Sequence, residues 1–356
     1  MFGLLPENTE LQMTLPRLAH LSLGPLGTLS SDRIELICSL TSLTFLKFSP
    51  TLSDEQALIP TALTQLDRLQ ELHADFVDLV PADLTKLASL RVLSVSPSPG
   101  NTHDLSGFTQ LTFLKLNGGH NTTYCLPSGQ SVHLQRLEAS VRCTVQNLSD
   151  ATALTYLELM PREVEQLHWP TTLQQLQYLK LIDYFAEQKA RLPDYRRDME
   201  VAIDKLPLEW QHYSNLVYLR LPSVSFQDEL PLWLTTLGKL TELDMPRSTF
   251  YHFPERLLQL TQLEVLNLEH FNSHLDKVVG FAKMPALRYF DFGYIGSFEG
   301  SSNSEVFVYH YCQDEMQRLD LLAAALEARP LKLQKVRHET EAGTPPYSIL
   351  TFAEHD

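Results

Sequence analysis

Cysteine is scarce in this 356-residue chain: there are four, Cys38, Cys125, Cys143 and Cys312, with no CxxC pair and no cluster. That excludes a disulfide framework and fits a reducing compartment. Basic residues are also few, 28 against 43 acidic ones, for a formal net charge of -15. A nucleic-acid partner is therefore not expected, because such binding relies on a basic face that releases counterions. A basic protein surface would instead be steered in favourably. No apolar run approaches the roughly 20 residues of a membrane span. The opening residues, MFGLLPENTELQ, lack the basic region of a secretory signal, so the expected location is the cytoplasm, with the sequons at Asn121 and Asn147 unused. No GxxxxGK[ST] or GxSxG motif occurs, and His270 and His274 lack both the HExxH pattern and a third ligand. No cofactor, metal or catalytic residue is expected.

What the chain has in quantity is periodic leucine. Between Leu230 and Phe271 one pattern is written twice: Pro231, Leu234, Leu237, Leu240, Leu243, Met245, and then Pro254, Leu257, Leu260, Leu263, Leu266, Leu268. Taking one leucine per repeat as a mark gives Leu21, Leu46, Leu72, Leu93, Leu114, Leu137, Leu157, Leu179, Leu219, Leu243, Leu266 and Phe290. The intervals are 25, 26, 21, 21, 23, 20, 22, 40, 24, 23 and 24 residues. A fixed period of this size marks a solenoid whose repeats bury their apolar edges against their neighbours.

These LxxLxxLxL units resemble the leucine-rich repeat family, with about twelve repeats of 20–26 residues. The resemblance implies an α/β solenoid with a curved parallel sheet on its concave face and helices or turns on its convex face. It also implies binding of other macromolecules rather than one shared chemistry. The asparagine that most members bury beyond the strand is replaced by Val77, Val224 and Ser248 in three of the clearest repeats.

The expected organisation is one solenoid over residues 1–296 and an α/β cap over 297–356. The 40-residue interval places a helical insertion at about 183–212, with Asp194 capping a helix that aligns Tyr195, Met199, Ala202 and Leu206. Outer segments are expected to start near Pro60, Pro81, Pro231 and Pro254, with i, i+4 helical spacing such as Leu58, Ala62 and Leu66. In the tail, residues 306–311 read as a strand, 314–329 as a helix, and 332–338 and 347–352 as short strands.

Side chains alternate across a strand, so the residues flanking each buried mark face outward. This makes a stripe of Tyr156, Tyr178 and Tyr218 with Lys180 and Arg220 alongside, next to acidic Glu242, Asp244, Glu269 and Asp291. Tyrosine and arginine supply stiff, polar-tipped contact area at interfaces. The expected function is non-enzymatic protein binding through that face, as an adaptor or scaffold in signalling or recognition. Alternatives are the substrate-recognition subunit of a ubiquitin-ligase complex and a secreted receptor fragment. A cysteine-dependent ubiquitin ligase is a further one, since Cys312-Gln313-Asp314 matches the CxD element of the bacterial leucine-rich-repeat ligases. Those enzymes carry a large helical domain after the repeats, whereas about 40 residues follow here.

Overall fold

Apolar residues recur every third position in the outer segments, and the backbone turns that spacing into burial by winding as a 3-10 turn. The computed structural model describes residues 17–26, 31–50, 59–77, 80–97, 102–117, 122–129, 132–160, 169–182, 206–222, 224–226, 230–246, 248–250, 254–268, 284–291, 331–339 and 347–354. After Pro60, the Leu63 N–H donates to the Pro60 carbonyl at 3.1 Å, Leu66 to Leu63 at 3.0 Å, and Leu69 to Leu66 at 2.9 Å. Bonds of this i→i+3 type bring side chains three apart onto one side. Leu63, Leu66, Leu69 and the strand residue Leu72 all turn inward as a result, none more than 2% exposed. The same frame recurs at Leu84, Leu87, Leu90 and Leu93, and at Leu234, Leu237, Leu240 and Leu243.

Pro60, Pro81, Pro231 and Pro254 stand immediately before such turns, where the sequence puts them, and Pro207 does the same. The i, i+4 spacing does not form there: Leu63 and Leu66 are buried, Ala62 only half so, and Leu58 lies outside the described residues. Among the described residues an α-helix, α1 (Ser31–Ser39), occurs only in the 25-residue interval between Leu21 and Leu46.

The chain divides into two compact units, residues 1–162 and 163–356. In the first, parallel strands β1 (His20–Leu26), β2 (Phe45–Pro50), β3 (Glu71–Val77), β4 (Val92–Pro97), β6 (Phe113–Leu116), β8 (Arg136–Gln146) and β9 (Tyr156–Met160) lie side by side in that order. Every mark pairs with the next, from Leu21 on Leu46 through to Leu137 on Leu157. The residue two before the marks from Leu21 to Leu137 sets this register, its carbonyl accepting two N–H groups from the following strand. The Thr44 oxygen takes Gln70 and Glu71 at 2.8 and 3.0 Å, and the Gln70 oxygen takes Arg91 and Val92 at the same distances. A second parallel ladder joins β5 (Thr102–Asp104), β7 (Thr122–Cys125) and the end of β8, aligning Thr102, Thr123 and Thr144. It buries His103 against Tyr124, rings stacked with centroids 5.6 Å apart.

The second unit repeats the scheme with β10 (Tyr178–Leu181), β11 (Tyr218–Arg220), β13 (Glu242–Asp244), β15 (Val265–Asn267) and β16 (Tyr289–Asp291), again mark on mark. A short ladder pairs β12 (Ser225–Phe226) with β14 (Thr249–Phe250). Near it Val224 is fully buried, and the buried Ser248 hydroxyl donates to the Met245 carbonyl at 2.6 Å. At the end of the insertion, Trp210 and Tyr213 take the two outer positions that leucines hold elsewhere, both wholly buried. Trp210 packs edge-on against Trp169 at 4.9 Å and against Trp233 at 6.2 Å. The tail contributes an antiparallel hairpin, β17 (Leu331–Glu339) with β18 (Tyr347–Glu354), whose second strand lies beside β16. The expected insertion helix, the strand at 306–311 and the helix at 314–329 lie outside the described residues.

Two substitutions test this packing. Leu243→Ala should cost about 2–5 kcal/mol in urea unfolding, because the tight core cannot collapse on the gap. At Gly107 an added Cβ would sit 2.7 Å from the Thr85 Cγ2 methyl. Gly107→Ala should therefore lower the unfolding midpoint, and Gly107→Ala with Thr85→Ser should recover it, since serine drops that methyl and keeps the hydroxyl bond to the Ala82 carbonyl.

Candidate functional site

Because the marks are buried and paired, the residues before and after them form two outward rows, and register decides which of them meet. In the second unit, Tyr178 on β10 lies next to Tyr218 on β11, with ring centroids 6.1 Å apart. Tyr178 is 41% exposed, a rare degree for a large apolar side chain in this molecule. Tyr218 is held from the other side, its hydroxyl donating to Asp244 Oδ2 at 3.3 Å. The Arg220 guanidinium bonds to the same oxygen. Burial works against the Arg220 charge, but Asp244 and Tyr218 together outweigh it and raise its pKa. Burial first, and Asp244 second, push Tyr218 up to about 12, so its hydroxyl remains a donor at neutral pH.

Lys180 and Arg220 stand alongside these tyrosines, as the strand alternation implies. Arg220 has its acceptor in Asp244 of this chain, and Asp244 is only 9% exposed rather than part of an open acidic rim. Lys180 lies beside Arg220 in register and is half-buried, and Glu242 is exposed next to Tyr218. What the unit offers outward is thus an aromatic pair with a carboxylate at its edge. Glu269 and the side chain of Asp291 are outside the described residues.

Tyr156 belongs to the first unit, where a different cluster claims it. The Arg136 guanidinium lies 3.9 Å from the Tyr156 ring centroid and 5.2 Å from that of Phe113, between strands β6 and β9. Arg136 Nε donates to Glu138 Oε1 at 2.7 Å, and Nη2 reaches the same oxygen at 2.5 Å. Lys115 Nζ holds the other oxygen, Oε2, at 2.8 Å. The Tyr156 hydroxyl donates to Glu158 Oε2 at 2.8 Å. Burial of Glu138 favours its neutral form, but the Lys115 and Arg136 bonds win and hold its pKa below the ordinary glutamate value. Sequence reasoning read Tyr156 here and missed Arg136. The available signal was Phe113, Arg136 and Tyr156 standing immediately before three successive marks.

Nucleophilic chemistry finds no support in Cys38 or Cys143. Burial raises Cys38 and pushes Cys143 up to about 12, opposite to what an attacking thiolate requires. Cys312, His270 and His274 lie outside the described residues. Among those described, no group of three metal-binding side chains occurs, and no helix is long and apolar enough to cross a membrane.

No family model matches the chain. Receptor-like protein 34 of Arabidopsis thaliana is 30% identical over 118 residues, which are 32% of this chain and 11% of that protein. Receptor-like protein 43 of the same plant is 31% identical over 118 residues, 32% of this chain and 15% of that protein. The matches thus span less than a sixth of these curated relatives. Among solved structures, a leucine-rich repeat protein of Leptospira interrogans superposes with a TM-score of 0.50 at 18% identity, covering 81% of each chain, a likeness of fold.

The Glu138 site carries a pH signature. Its folded pKa lies below its ordinary value of 4.5, so its stabilisation is fully present above that value and is lost as the pH falls through the folded one. The stability advantage of wild type over Glu138→Gln, measured by urea unfolding, should be constant near neutrality and shrink as the pH is lowered below the ordinary glutamate value of 4.5.

Proposed function

This chain is a leucine-rich repeat protein, and from that premise we propose that it is a non-enzymatic binding module whose outward strand face takes a protein partner, in the manner of an adaptor or scaffold. The observation that carries this reading is Tyr178, a stiff aromatic side chain 41% exposed on a fixed strand and backed by a tyrosine that is itself pinned. An anchor of this kind loses little rotamer freedom on binding, and burying its apolar ring is favourable while the hydroxyl takes a hydrogen bond from the partner's side of the interface. The parallel strands can frame it within the roughly 800 Å² per side of a standard interface.

The partner's complementary chemistry is a basic surface, which the net charge of -15 would steer and the exposed Glu242 would meet. Arg220 and Asp244 act in this reading as a brace that orients Tyr218, and Lys180 as a polar neighbour at the rim. Four cysteines in 356 residues accord with a reducing, cytoplasmic setting.

Affinity capture from the native source, read by mass spectrometry, tests the proposal. The Tyr178→Ser, Tyr218→Ser variant, checked for folding by circular dichroism, should lose the captured protein, and added salt should weaken capture by the wild type. Capture unchanged in the folded variant would remove the tyrosine pair from the binding site.

A further inference from the structure

Arg136 is placed as a receptor rather than as a strut. Its planar side chain has two faces and two hydrogen-bonding edges. The guanidinium carbon lies 5.2 Å from the Phe113 ring centroid and 3.9 Å from that of Tyr156, within cation–π reach. Glu138 takes the side-on edge, through Nε and Nη2. Yet 46% of the side chain remains exposed. With the side-on edge bonded to Glu138, the end-on edge remains, where Nη1 and the second N–H of Nη2 form a fork that no hydrogen bond or ion pair among the described residues uses.

We propose that this fork binds a single carboxylate side chain, aspartate or glutamate, of a protein partner. Two of the five guanidinium donors are used by Glu138, which leaves three, and the fork matches a carboxylate in the plane of the group. The aromatic contacts with Tyr156 and Phe113 and the two bonds to Glu138 restrain the group. Lys115 in turn holds Glu138 by its second oxygen. The receptor is therefore ordered before any ligand arrives, so little conformational freedom is lost on binding.

Local charge selects the ligand. Lys115 and Arg136 contribute two positive charges, and Glu138 and Glu158, 5% and 8% exposed, contribute two negative ones. A monoanion can take the fork with modest repulsion from the neighbouring carboxylates, whereas a dianionic phosphate meets twice as much. The net charge of the whole chain steers a basic surface from a distance, while one acidic side chain set in that surface would fix its position here. The proposal rests on the reading of the strand face as a binding surface, but it involves different residues in a different unit.

The full chain labelled with 15N-arginine offers a direct test by nuclear magnetic resonance. It is titrated at constant ionic strength with N-acetylglutamate methylamide, inorganic phosphate and N-acetyllysine methylamide in separate samples. Arg136→Lys identifies the Arg136 side-chain signals and keeps a charge while lacking the fork. The glutamate probe should shift those signals saturably, about tenfold more tightly than phosphate, a difference of about 1.4 kcal/mol, and the lysine probe should not shift them. Binding should persist in Tyr178→Ser, Tyr218→Ser, so a failure of the tyrosine reading leaves this result standing. Absence of a saturable shift, or tighter binding of phosphate, would overturn the assignment without touching the tyrosine pair.

Discussion

A carbonyl oxygen has two lone pairs, and this molecule uses both of them two residues before most of the marks. Gln177 serves Val217 and Tyr218, Val217 serves Thr241 and Glu242, and Thr241 serves Glu264 and Val265, all between 2.8 and 3.0 Å. Each strand is thereby fixed to its predecessor at one point, so leucine falls on leucine all along each sheet. Slipping by one residue would send the marks outward and bring tyrosine, lysine and arginine into the core. Everything at the surface follows from that fixed point. Tyr178 meets Tyr218, and Arg220 meets Asp244, because the backbone permits no other neighbours.

The two clusters use one device in different ways. Each sets a tyrosine beside an arginine that a mostly buried carboxylate holds in place. In the second unit the tyrosine shares that carboxylate with the arginine, which leaves the ring of Tyr178 as the outermost group. In the first unit the tyrosine bonds to a separate carboxylate, Glu158, and lends its face to the arginine. Burial raises both tyrosine pKa values, keeping the hydroxyls as donors. One arrangement presents an aromatic ring and the other presents a guanidinium edge.

The repeat frame was legible in the sequence because it is written in side chains: the marks chosen by leucine spacing are the residues that pair. The anchoring carbonyls were not legible, since any residue supplies one, and alanine, threonine, glutamine, arginine and valine all do so here. Trp210 and Tyr213 escaped notice because a leucine template skips aromatic residues in leucine positions. The second ladder left a trace in Thr102, Thr123 and Thr144, spaced by 21 residues, but three threonines carry little apolar periodicity. The Arg220–Asp244 pair was hidden for another reason. Flanking residues were read singly as facing solvent, whereas register makes them neighbours before it makes them surface.

All three tryptophans of the chain, Trp169, Trp210 and Trp233, fall in the second unit and pack in one edge-to-face series. Indole emission is consequently a private signal of that unit. A fluorescence melt would follow its unfolding and pass over the first unit in silence, while far-ultraviolet dichroism would sum the two. The protein thus carries a built-in optical means of asking whether its halves come apart together.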